Sequence, residues 1–136
     1  MTTPQIIAHR GASYLAPENT LVALRKAMEI GADGVEMDVQ KTYDNELVIH
    51  HDYMVDMHTD ISGQIYDLTM GELKALDFGS WKDAIYANER IATLQEALEL
   101  CASMEGTQVQ LELKSPLEDD PDFVPRVLDA VRAAGL

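Results

Sequence analysis

The sequence predicts an α/β domain built on a parallel sheet. Three observations carry this: short β-type runs alternate with amphipathic helical stretches, no repeat or low-complexity tract breaks the alternation, and 46% hydrophobic residues against 25% charged over 136 residues suit one core. The first strand is read at Gln5 to His9, an apolar run that ends in His9-Arg10-Gly11. A strand stopping there delivers an imidazole and a guanidinium to the sheet edge, a frequent position for chemistry, though a capping pair in a solvated turn has the same pattern. The first helix spans Leu21 to Ile30, capped by Asn19 or Thr20 and ended by Gly31. The second strand, "GVEMDVQ", alternates strictly, and the third, "ELVIHHD", follows a turn at Asp44-Asn45. "TMGELKALDFG" and "TLQEALELCASM" carry helical spacing, "QVQLELK" is the fourth strand, and "LEDDPDFVPRVLDAVRAAGL" closes with a helix. The four strands are expected to lie parallel in chain order, with residues 52–92 inserted after the third in a single domain over 1–136.

Composition narrows the partners. A net charge of −14 argues against nucleic acid or an anionic membrane as a surface-wide partner, so a phosphate-bearing ligand needs a local cluster of cations or a metal. No apolar run reaches the ~20 residues needed to span a bilayer. Cys101 stands alone, which excludes an internal disulfide, and "MTTPQ" lacks the basic start and apolar core of a secretory signal, so a cytoplasmic location is expected.

Alternation along the second strand puts Glu36, Asp38 and Gln40 on one face and Val35, Met37 and Val39 on the other. The two acids then sit about 7 Å apart along the chain, close enough to reach one point. Gln110, Glu112 and Lys114 alternate in the same way on the fourth strand, and the third ends in His50-His51-Asp52. A solvated sheet face explains these residues. So does an oxygen-seeking cation such as Mg²⁺ or Ca²⁺, since parallel sheets usually bury both faces and burying carboxylates without compensation is costly.

Together "AHRGASYLAPENT", "GADGVEMDVQKTYDNELVIHHD", "DLTMGELKALDFGSW" and "QLELK" resemble, in order and spacing, the motifs of the glycerophosphodiester phosphodiesterases. The resemblance implies a (β/α)8 TIM-barrel fold, of which about the first four βα units are expected in this chain. It implies that His9 and His51 are catalytic, that Arg10 and Lys114 bind the substrate phosphate, and that Glu36, Asp38 and Glu112 bind a divalent cation, Mg²⁺ or Ca²⁺. The reaction it implies is hydrolysis of a small glycerophosphodiester to glycerol 3-phosphate and an alcohol, with the two histidines as general acid and base. Two other readings share these residues: a lysophospholipase D acting on lipid diesters, and a non-catalytic half-barrel that binds phosphate esters. A barrel of this kind typically takes ~250 residues. Either a homo-oligomer or a missing carboxyl-terminal half is therefore expected to complete the site, and weak or no turnover is expected of the isolated chain.

Some residues fit less directly. His50 points away from His51 by alternation and reads as structural. Met57 and His58 stand where the family usually has an Arg-Thr pair. Phe78, Trp81 and Tyr86 line either a pocket for the alcohol or a small core of their own, and Glu18 and Asn19 either tie the first loop to the site or cap the helix.

Overall fold

One strand organises the sheet. The computed structural model describes residues 3–115 and 120–136, and the first residues of the acidic stretch before the last helix, 117–119, lie outside the described residues. In chain order the elements are β1 (Ile7–His9), α1 (Leu21–Glu29), β2 (Gly34–Lys41), β3 (Leu47–Ile49), α2 (Met70–Lys74), β4 (Ala92–Thr93), α3 (Leu94–Ala102), β5 (Gln108–Leu113) and α4 (Phe123–Ala133), with 3₁₀ turns at Ile65–Asp67 and Ala84–Tyr86. β2 pairs in parallel with β1, His9 opposite Glu36, and with β5, Asp38 opposite Glu112.

The expectation of four parallel strands in chain order needs correction. β3 runs antiparallel to β2, with Val39 opposite Ile49, and β4 pairs antiparallel with β3. The reason is the connection: only five residues separate β2 from β3, enough for a hairpin turned at Asn45 (φ 64°) and far short of a parallel crossover. Val39 pairs with β5 on one edge and with β3 on the other, so β3 continues the edge along which β1 runs. The turn that follows β3 is thereby brought back towards the end of β1.

The odd-numbered face of β2 makes the main core. Val35, Met37 and Val39 are fully buried against Leu24 and Ala27 of α1, Leu94, Ala97 and Leu98 of α3, and Phe123 and Val127 of α4. A second, smaller core gathers Val48, Val55, Ile65, Leu73, Phe78 and Ile91. Val48 faces this cluster while its neighbour Ile49 faces the main core, so three residues of β3 join the two. Residues 52–92 then dock back on the loop after β1, where Lys82 Nζ donates to the Ser13 carbonyl and the Tyr86 hydroxyl to that of Leu15, both at 2.8 Å. No helix among the described residues is long and apolar enough to cross a membrane.

Gly34 marks where β2 is most tightly held. A Cβ there would lie 2.5 Å from the Gln108 carbonyl oxygen and 2.9 Å from Ile7 Cδ1. Gly34→Ala is expected to destabilise the fold by about 1–3 kcal/mol in denaturant unfolding, as overpacking of a filled site does. Gly71→Ala, with nothing nearer than 4.0 Å, is expected to stay within about 0.5 kcal/mol. Equal effects of the two would show that the β2–β5 approach is not tight.

Candidate functional site

The even-numbered face of β2 carries the polar residues, and their surroundings differ sharply. Asp38 has no solvent exposure. Its Oδ2 accepts from Asn19 Nδ2 at 2.8 Å and lies 3.5 Å from Arg10 Nε, while its Oδ1 lies 3.6 Å from Lys114 Nζ. Asn19 closes a second bond by accepting the Asp38 backbone N–H at 3.1 Å. Asn19 therefore ties the first loop to the site. The helix cap is Thr20, whose hydroxyl accepts from the Ala23 N–H.

Arg10 and Asn19 both adopt left-handed backbone conformations, φ 57° and 53°, which are rare for residues other than glycine and cost about 1 kcal/mol or more each. The turn they form is held by the Asn19 N–H donating to the Arg10 carbonyl at 3.1 Å. It directs the Arg10 backbone N–H at Glu36 Oε2 (3.0 Å) and the guanidinium NH1 at Glu18 Oε1 (3.0 Å). His9 is the most open of the group, its Nε2 3.8 Å from Glu36 Oε2.

Glu36, Asp38 and Glu112 each present an oxygen within 4.8 Å of the others. Burial pushes the Glu36 carboxyl above the ordinary range; the Arg10 N–H works against this and the charge of Asp38 adds to it. Glu112 moves the other way, because Lys114 Nζ donates to it at 2.7 Å. Lys114 itself is held above its usual value by Glu112 and Asp38 although partial burial disfavours its ammonium. Glu36 Oε1 and Asp38 Oδ1 are buried without a hydrogen-bond partner. The three acids and Lys114 so form an oxygen-rich cluster with spare acceptor capacity.

His51 lies past the end of β3 and is held by two devices. Its Nδ1 pairs with Asp52 Oδ1 at 2.6 Å, and the buried Gln40 amide lies 2.7, 3.2 and 2.8 Å from the carbonyls of His50, His51 and Asp52. Partial burial would raise the Asp52 carboxyl, but the bond from His51 and the charge of His58 hold it below the usual range. An ionised Asp52 accepts only, so the His51 nitrogen that faces it, Nδ1, is the donor, and in the neutral ring Nε2 is the unprotonated nitrogen. His50 points the opposite way, into the small core edge-on to Phe78 (5.5 Å), and burial pushes its pKa down to about 3. The fold thus gathers the residues singled out in the sequence: Glu112 feels the charges of both His51 and Arg10, and Glu36 that of His9.

Sequence reasoning gave no site role to Asp52, Gln40 or the buried His58. "HHD" does place Asp52 beside His51, but spacing alone does not show that the side chain turns back on its neighbour. Of the aromatics, Phe78 fills the small core, Tyr86 serves docking, and Trp81 borders an open cleft of about 650 Å³ together with His58, Ile61 and Leu76.

The parallel strands β1, β2 and β5 and the antiparallel β3 thus bring acids, histidines and two local cations together in one part of a mixed α/β sheet. The chain belongs to the glycerophosphoryl diester phosphodiesterase family, whose profile matches residues 9–132. It is 42% identical over 127 residues to a glycerophosphodiester phosphodiesterase of Caldanaerobacter subterraneus, covering 93% of this chain and 52% of that protein. Among solved structures, a phosphodiesterase of Oleispira antarctica in complex with the product sn-glycerol-3-phosphate matches with a TM-score of 0.90 at 41% identity, over 95% of this chain and 52% of that one. A glycerophosphodiester phosphodiesterase of Agrobacterium tumefaciens matches with a TM-score of 0.87 at 33% identity, over 98% and 54%. The fold is of the (β/α)8 type, and the chain spans about half the length of the relatives it matches.

Asn19→Ala would strip Asp38 of a buried side-chain bond and a buried backbone bond. It is expected to lower stability by about 1–3 kcal/mol, and Asn19→Asp by more, since it sets carboxylate against carboxylate. Thr20→Ala should cost about 1 kcal/mol as an ordinary cap. Chemical denaturation of the three variants checks the ranking, and an Asn19→Asp variant as stable as the parent would contradict it.

Proposed function

We propose that this chain carries the hydrolytic site of a metal-dependent glycerophosphodiester phosphodiesterase, acting on small glycerophosphodiesters to release glycerol 3-phosphate and an alcohol. The observation that supports it most is the convergence of three carboxylates with Arg10 and Lys114 in a chain of net charge −14. A chain of this charge repels a phosphodiester overall, and only here would two protein cations and a carboxylate-held divalent cation together supply the countercharge for one.

The donor set fits a hard divalent cation. Glu36, Asp38 and Glu112 are all oxygen donors, and among the described residues Glu36 Oε1 and Asp38 Oδ1 accept no hydrogen bond, Asp38 Oδ1 having only the ion pair to Lys114 at 3.6 Å. These three residues would hold Mg²⁺ or Ca²⁺, which when bound supplies countercharge to the phosphoryl oxygens. Arg10, kept in place by Glu18 and by its backbone N–H donating to Glu36, binds the phosphate, and Lys114 is its second contact.

The proton work falls to the histidines. His51, with Nδ1–H fixed on Asp52, keeps Nε2 available to accept or give a proton, and the exposed His9 imidazole takes the complementary role. One relieves the attacking oxygen of its proton as the bond to phosphorus forms. The other protonates the alkoxide as its bond to phosphorus breaks. Residues 52–92, an insertion in this reading, wall one side of the site.

In the intact protein, His9→Ala and His51→Ala are each expected to lower kcat for glycerophosphocholine by about 10²–10⁴-fold. Turnover unchanged by both substitutions would overturn the two-histidine reading. Calorimetric titration with Mg²⁺ or Ca²⁺ tests the metal: Glu36→Ala and Glu112→Ala should each weaken binding at least tenfold, and unchanged affinity would place the cation elsewhere.

A further inference from the structure

His58 is buried in the wall between the two pairs that the proposed chemistry needs. Its Nε2 lies 3.7 Å from Glu18 Oε1, the same oxygen that receives Arg10 NH1 at 3.0 Å. Its Nδ1 lies 4.0 Å from Asp52 Oδ2, while the other oxygen of Asp52 holds His51 at 2.6 Å. Arg10, Glu18, His58, Asp52 and His51 form one continuous chain of alternating cation-type and anion-type groups, with His58 at its centre.

We infer that His58 is a positioning residue that couples the Arg10–Glu18 pair to the His51–Asp52 pair, one ring nitrogen facing each carboxylate. The inference rests on the roles proposed above for Arg10 and His51. Four observations support it. The ring is wedged edge-on against Trp81 (4.5 Å) and His50 (4.9 Å), which fixes its packing in the wall. Its backbone is anchored by the N–H donating to the Val55 carbonyl at 3.1 Å. Its Nδ1 is buried with no hydrogen-bond partner, which leaves Asp52 as the polar group it faces. Burial lowers the pKa of the ring while Glu18 and Asp52 pull it back up, as expected of an imidazole set between two anions.

The chemistry of the ring gives the coupling its form. Glu18 and Asp52 accept only, and a neutral imidazole has one N–H, so it can serve one carboxylate at a time; the imidazolium serves both. Both separations exceed hydrogen-bond length, so the coupling is electrostatic, each ring nitrogen facing one carboxylate. Without its nitrogens Glu18 and Asp52 face each other through an apolar ring. Asp52 then loses an orienting partner on the side opposite His51, and the tautomer of His51 is no longer held.

The test uses the intact protein with glycerophosphocholine as substrate and ¹⁵N-histidine labelling. His58→Phe keeps the aromatic ring against Trp81 and His50 and removes both nitrogens; His58→Leu replaces it if the phenylalanine variant does not fold. The expected result is a fall in kcat of at least tenfold, together with displacement of the His51 ring nitrogens towards a mixture of tautomers. His58→Gln, whose amide can donate to one carboxylate, should recover at least part of the turnover. Turnover within twofold of the parent, or a loss of turnover with unmoved His51 signals, would overturn the coupling. His51→Ala run alongside separates the two ideas: if it keeps full turnover, the catalytic reading of His51 fails, and the His51 signals in His58→Phe still decide whether His58 positions that ring.

Discussion

A carboxylate with no access to water, in the middle of the central strand, is the constraint around which this structure is arranged. Leaving an ionised Asp38 unpaired in an interior would cost several kcal/mol. The fold answers with Asn19 and Arg10 from the loop after β1 and Lys114 from the end of β5. The left-handed conformations of Arg10 and Asn19 follow from that need, because only a sharply reversed loop brings a guanidinium and an amide to the same oxygen. Strain of about 1 kcal/mol or more at each is small beside the cost of the unpaired charge.

The same constraint explains how an acidic chain presents cations in one place. Arg10 and Lys114 are both recruited to Asp38, and in the proposed function the same pair meets the phosphate. Between them, Glu18 and Glu112 hold the two side chains in place, which would lower the entropy lost on binding a ligand there. The hairpin from β2 to β3 completes the arrangement from the other side. By filling the edge of β2 beyond the short β1, it returns His51 to the level of Asp38, whose carbonyl accepts the His50 N–H at 2.9 Å.

Alternation made much of this legible in the sequence. The split of β2 into a buried odd face and a polar even face follows from a period of two, and the His-Arg-Gly ending of β1 marks the sharp turn that carries Arg10 to Glu36 and Asp38. The direction of β3 was missed because "ELVIHHD" has the same period in a parallel or an antiparallel strand; only the five-residue connection distinguishes them. β4 is too short, at two residues, for any periodicity to show it. Asn19 was legible only as a choice between capping and tying, since "ENT" offers two capping residues in a row and the decision lies in a contact with a strand nineteen residues away. His58 was visible only as a departure from the family's pattern; its place between Glu18 and Asp52 depends on how a forty-residue excursion folds back, which local sequence does not encode.

In the proposed function the even face of β2 and the end of β5 form one cation and phosphate site. Crystals of the intact protein grown with Mn²⁺ and glycerol 3-phosphate, measured for anomalous scattering at the manganese edge, test it most directly. A single strong peak is expected about 2.0–2.3 Å from oxygens of Glu36, Asp38 and Glu112, with the phosphate against Arg10 and Lys114. A peak at any other carboxylates, or a phosphate bound away from Arg10, would contradict it.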